Sequence, residues 1–197
     1  KKILQRFTRR AWRGYRNEEN NQVVWKAYQK QRESKTSVPS LLHAMKTTLL
    51  SPAFIYRMES IKDQDTPYNI SAYELASRLS YFLWASMPDK ELFTLAESGE
   101  LLEESVLSAQ IDRLLNSPKR LSLAEDFGGQ WLGFSEIVSN RVFYRNQNWN
   151  RGVYDEVLFF FDELIRSDRS ILEIIDSDWI YQSNYTGVRA GGSNTSL

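Results

Sequence analysis

Five helix-start signals, each followed at once by an apolar repeat of helical period, constrain this chain more than any other feature. They stand at Ser37, Ser71, Ser117, Asn150 and Ser170. A Ser or Asn at such a position accepts a bond from one of the first backbone N–H groups, which the helix itself leaves without a partner. Ser71-Ala72-Tyr73-Glu74 reads as a full capping box, with the glutamate reaching back to the serine N–H. Ser117-Pro118 puts proline at the first helical position, where its missing N–H costs nothing. Behind the caps, Val106, Leu107, Ile111, Leu114 and Leu115 recur at helical spacing, as do Val153, Val157, Leu158, Phe161, Leu164 and Ile165. Neither strand alternation nor an internal repeat competes with this pattern. The expected fold is all-α, an irregular bundle of seven to nine helices with helix 71–84 at its centre.

The remaining segments fit around that frame. Lys2 to Arg13 places Ile3, Leu4, Phe7, Ala11 and Trp12 at helical spacing, and Gly14 ends the segment. Asn17-Glu18-Glu19 reads as the start of a second helix running to about Ser34, with Val23, Val24, Ala27 and Tyr28 along it. The helix from Ser37 carries Leu41, Leu42, Met45, Leu49 and Leu50 as its expected inward stripe, and Ser51-Pro52 breaks it. Residues 53–59 suit either a helical turn or an extended stretch, 61–69 a surface loop, and 135–149 a loop. Gly128-Gly129 weakens its helix by roughly 2 kcal/mol against alanines, so close packing or a kink is expected there. The organisation expected is a basic helical segment over 1–35, a bundle core over 36–182 and a flexible tail over 183–197.

Composition removes several chemistries. The chain has no Cys, hence no disulfide, thiolate metal site, cysteine nucleophile or covalent haem attachment. Its one histidine, His43, falls off the main stripe of its helix and reads as a surface or boundary residue. The net charge is zero, yet residues 1–35 hold 11 Lys/Arg against 3 Asp/Glu. We read that arm as complementary to the acidic remainder, ahead of nucleic-acid or membrane contact. No stretch is long and apolar enough to span a membrane, and no apolar leader follows Lys1. A start at Lys suggests a processed or excised piece.

Helix 71–84 is apolar over most of its circumference, with Leu75, Ala76, Leu79, Phe82 and Leu83 on one side. Such a helix is expected to be buried. Glu74 and Arg78 stand four residues apart in the favourable orientation. Buried guanidinium groups need acids, so Arg57 and Arg78 are expected to meet Glu74, with Glu59 or Asp126 as a second carboxylate. The cluster would be a structural staple or the floor of a polar pocket. Trp84, Trp131 and Trp149, with Tyr144 and Trp179, are candidates for an aromatic surface, against the ordinary reading of aromatics as core. Paired acids such as Glu125/Asp126 and Asp162/Glu163 diverge around a helix, which does not suit the facing carboxyls of a glycosidase. Asp176-Ser177-Asp178 carries oxygen ligands for a hard cation without the rest of a loop motif.

Several ordered stretches resemble one bacterial family. They are Ser51-Pro52-Ala53-Phe54-Ile55-Tyr56-Arg57-Met58-Glu59, Tyr73 through Trp84, Met87-Pro88-Asp89, Gly99-Glu100-Leu101, Gln130-Trp131-Leu132 and Asp168-Arg169-Ser170. Together they are similar to the domain of unknown function numbered 1592, abundant in planctomycetes. Phe7-Thr8-Arg9-Arg10-Ala11-Trp12-Arg13 resembles the adjoining domain numbered 1595. Gly14-Tyr15-Arg16 departs from that family's usual Arg-Pro turn, and the element expected after Tyr181 is missing. The resemblance implies an extracytoplasmic, exported, multi-domain setting, often with a c-type cytochrome and sometimes carbohydrate-binding modules. It carries no catalytic residues. Cofactors are therefore expected on a partner, as haem, and none in this chain. The expected role is a scaffold or docking module for other domains of a longer parent chain or for a cytochrome. The alternative is an enzyme domain acting on polysaccharide.

Overall fold

The computed structural model describes residues 1–15, 18–59, 66–139, 147–183 and 195–196. The helix start at Asn17, most of the loop after Ile61, Tyr144 with its neighbours and most of the segment 183–197 lie outside the described residues. Of the described residues 72 % are helical, so the all-α expectation holds. The helices are α1 (Lys2–Ala11), α2 (Glu18–Arg32), α3 (Ser37–Leu49), α4 (Pro52–Ile55), α5 (Ala72–Trp84), α6 (Lys90–Ser98) and α7 (Glu104–Leu115). Then come α8 (Leu121–Leu123), a π-helical turn (Ala124–Gly128), α9 (Gly129–Trp131), α10 (Glu136–Ser139), α11 (Gln147–Arg166) and α12 (Glu173–Asp176). A two-residue parallel pairing of β1 (Tyr181–Gln182) with β2 (Thr195–Ser196) is the only strand structure among the described residues. Two compact units result, Lys1–Arg78 with Met87–Val106, and Leu79–Ser86 with Leu107–Leu197.

The first unit closes on Leu4, Trp12, Val24, Ala44 and Ala53. Its central correction concerns α3. Of the stripe expected to face inward, Leu41 and Met45 pack against this cluster, but Leu42, Leu49 and Leu50 are exposed, at 55, 39 and 77 %, while Ser40, Ala44 and Thr48 are fully buried. Small residues four apart let another helix come close. The two hydroxyls cost little to bury, because each bonds to its own helix: Ser40 Oγ donates to Thr36 O and Thr48 Oγ1 to Ala44 O. Residues 53–59 realise both expected states, a turn of helix through Ile55 and then extended backbone at Tyr56. Ser37 is the first residue of α3 and not its cap, which is Thr36. Asp89 caps α6 by accepting from Leu92 N, and Gly99 ends it in the left-handed conformation.

In the second unit α11 supplies Leu158, Phe161 and Leu164 to a cluster with Ala124, Phe134 and Trp179. The helix begins at Gln147, three residues before the expected cap, so Asn150 is an interior residue, 5 % exposed. The first glycine of the pair, Gly128, is required by close packing. A Cβ there would stand 2.6 Å from Phe161 Cδ1, so only glycine admits the ring. The backbone widens into the π turn over the same residues. Arg120 and Asp162 form a largely buried pair at 2.7 Å.

Candidate functional site

Glu74 heads α5 and is held there by local chemistry. Its Oε2 accepts from Ser71 N at 2.7 Å while Ser71 Oγ accepts from Glu74 N, completing the expected box. The acid that grips Arg78 is Glu59. Arg78 Nε and Nη2 donate to its two carboxylate oxygens at 2.9 and 2.6 Å, and Arg57 Nε lies 3.6 Å from the same group. The structure therefore brings Arg57, Glu59 and Arg78 together with the charge of Glu74 close by. The bond from Arg78, ahead of its charge and that of Arg57, holds the Glu59 carboxyl below the ordinary glutamate range.

Burial is where this cluster departs from expectation. The side chains of Arg57 and Arg78 are 52 % and 48 % exposed. The inward face of α5 is Ala72, Ala76, Ser77, Ser80, Leu83 and Trp84, and Phe82 is 60 % exposed. Position 78 falls outside that face, so its guanidinium reaches Glu59 at the surface. Asp126 belongs to the second unit, exposed on the π turn.

Beside the cluster the opening segment locks onto the α3–α4 corner. Trp12, 2 % exposed, donates from Nε1 to Ser51 Oγ at 2.9 Å. Arg13 Nη2 donates to the carbonyls of Ala53, Phe54 and Tyr56, capping the C-terminal end of α4. Arg9 bridges Tyr73 Oη at 3.0 Å and Glu97 at 2.6 Å. A cavity of 250 Å³ between these parts is lined by Trp12, Arg13, Tyr15, Tyr73, Glu74 and Ser77 among others. Its one carboxylate already serves the α5 cap, and Arg13 serves α4. His43 is exposed on α3 and does not line it. The arrangement suits structural support better than proton transfer.

The tryptophans expected at the surface divide. Trp84 is corrected to core. It is 6 % exposed, donates to Leu114 O at 2.9 Å, and lies under the cations of Lys119 and Arg113. Its aromatic body is buried because its one polar atom finds a carbonyl. Trp149 is half-buried on the first turn of α11. Trp131 is 54 % exposed, stacked on Phe127 at 5.7 Å and edge-on to Phe161 at 6.3 Å. Phe127, itself 47 % exposed, meets Phe82 edge-on at 6.3 Å. Phe82 is thus exposed where burial is expected for its helix, because helical spacing alone does not separate an outward aromatic row from an inward one. Leu132 continues from this row into an apolar groove of about 390 Å³ with Phe160, Ile175, Trp179 and Tyr181.

Acids near that groove hold the fold. Glu173 accepts from Arg169 Nε and Trp179 Nε1, each at 2.7 Å, and Glu156 accepts from Ser183 N. Glu163 accepts from Arg166, Ser167 and Tyr181. No group of three His, Cys, Asp or Glu able to hold a metal ion occurs among the described residues.

Comparison with known families places these parts. Residues 70–186, from the turn before α5 through β1, match the family PSD4, protein of unknown function (DUF1592). The chain belongs to the PSD4 family. Residues 1–59 match PSD5, protein of unknown function (DUF1595). The Arg78–Glu59 bond thus ties the PSD4 segment to the PSD5 segment, and the first compact unit contains residues of both. The exposed aromatic row lies wholly within PSD4. No curated protein and no solved structure matches the chain.

Proposed function

We propose that this chain is a docking module of a larger extracytoplasmic assembly, and that Phe82, Phe127 and Trp131 form its contact face. The observation that carries the reading is a contiguous aromatic row about half exposed, at 60, 47 and 54 %. Aromatic side chains left together in solvent mark contact surfaces, since a folded chain otherwise buries them. The nearby acids support docking over hydrolysis, because Glu156, Glu163 and Glu173 are each bonded within the fold. Glycosidase action needs two carboxyls free to face one substrate. The partner we favour is a c-type cytochrome module, the companion implied by the family resemblance.

Titration of the chain with a soluble c-type cytochrome tests this, read by quenching of tryptophan emission, since haem accepts energy from an indole nearby. Saturable quenching is expected, and it is lost in Phe82→Ser and Trp131→Ala variants. Quenching absent, or unchanged in both variants, rejects the docking face. The polysaccharide-enzyme reading rests on the same exposed Trp131 and predicts instead an emission change with oligosaccharides accompanied by release of reducing ends.

A further inference from the structure

We propose that the outer face of α3, with the turn into α4, is a membrane-surface contact that sets apolar side chains among anionic lipid headgroups. This surface belongs to the first unit and shares no residue with the aromatic row, so the two readings stand or fall separately. Val38, Leu42 and Leu49 follow one another at helical spacing on α3 and are 66, 55 and 39 % exposed. Leu50, Ile55 and Tyr56 continue the surface through the turn and α4, at 77, 61 and 65 %. Six large apolar side chains within nineteen residues are far more than the scattered exposure of an ordinary surface.

Charge says what covers them. Residues 34–58 contain no Asp or Glu, and carry Lys35, Lys46 and Arg57. Lys35 and Lys46 are exposed, as is His43, while Arg57 is half in solvent beside Glu59. An apolar surface bearing Lys35 and Lys46 with no acid between Ser34 and Met58 matches a ligand that is apolar inside and negative outside. A leaflet containing acidic lipids has that profile, and Lys and Arg reach its phosphates while their stems lie along the acyl boundary. Tyr56 has the amphipathic ring favoured at that depth.

Shape favours a lipid surface over an acidic helix. A partner helix lays its apolar face into a groove. Here the surface is the outward side of a helix whose opposite side, Ser40, Ala44 and Thr48, is buried, followed by a turn with Leu50 at its most exposed point. A convex corner of this kind enters a headgroup layer as an interfacial helix does.

The test is co-sedimentation of the full chain with vesicles of phosphatidylcholine alone or mixed with phosphatidylglycerol. Binding is expected only with phosphatidylglycerol, weakening as sodium chloride shortens the reach of the charges. Lys46→Glu should reduce binding by at least about fivefold. Leu42→Asp with Leu50→Asp should reduce it by at least about tenfold, with unchanged circular dichroism. If that double variant unfolds, Leu50→Ser alone serves, being at the most exposed of the six sites. The Trp131→Ala variant should bind vesicles as the parent does. The proposal is overturned if acidic vesicles are not bound at low salt, or if binding ignores Leu50 and Lys46. Retention of an acidic amphipathic peptide by a chain that ignores vesicles would overturn it in favour of a protein partner.

Discussion

Arg78 holds Glu59 by two parallel bonds, Nε to Oε1 at 2.9 Å and Nη2 to Oε2 at 2.6 Å, and so links the PSD5 segment to α5 of PSD4. The pair lies half in solvent, so its worth is in geometry more than in strength. It also makes stability depend on pH with a definite sign. The folded chain holds Glu59 below the ordinary glutamate range, chiefly through the Arg78 bond. The unfolded chain takes up that proton near pH ~4.3. The contribution is therefore complete above that pH and is lost as pH falls through the lower folded value. Thermal melts of the parent and Glu59→Gln should differ at pH 7 and converge in acid, below the lowered folded value; a constant difference would contradict the assignment.

Glu74→Ala should cost about 1 kcal/mol, the scale of a lost helix cap. A buried ion pair broken by removing one partner costs roughly 3–5 kcal/mol. Urea unfolding distinguishes the two, and a loss on the larger scale would restore Glu74 as the centre of the staple.

Asp162→Ala should be the more damaging change, by roughly 3 kcal/mol, because it strands the Arg120 guanidinium in the second unit. The side chains are only 15 % and 11 % exposed. Arg120 Nε and Asp162 Oδ1 have no partner within the described protein, so the pair has little spare bonding to fall back on. Denaturant midpoints for Asp162→Ala and Asp162→Asn should fall in that order, alanine lowest.

Gly128→Ala should destabilise by about 1–3 kcal/mol through overpacking against Phe161. Helix propensity alone predicts the opposite, a gain of about 1 kcal/mol. The sign of the change, read by thermal melting, distinguishes the two effects. At Gly99 the space is open and the obstacle is the backbone, φ 85°. Gly99→Ala should cost about 1–2 kcal/mol from left-handed strain alone.

Much was legible because it is local. The Ser71–Glu74 box and the Ser117-Pro118 start are bonds between residues two or three apart, so neighbouring letters suffice to predict them. The SPAFIYR stretch was ambiguous, and its helical turn ends in extended backbone capped by Arg13, forty residues away. Nothing near it in sequence announces that partner.

That the protein is helical is legible in neighbouring letters, as are the starts at Ser71 and Ser117, since capping bonds and apolar period act within one or two turns. The starts read at Asn150 and Ser170 are displaced to Gln147 and Glu173. Tertiary structure decided which side of each helix faces inward. On α3 the buried side is Ser40, Ala44 and Thr48, and Leu42, Leu49 and Leu50 stay out. On α5 the serines and Trp84 are buried, while Phe82 and Arg78 face water. The physical reason is that burial rewards close fit as well as apolarity. A small hydroxyl bonded to its own helix lets another helix approach, and a long-range acid or carbonyl decides where a guanidinium or an indole N–H comes to rest.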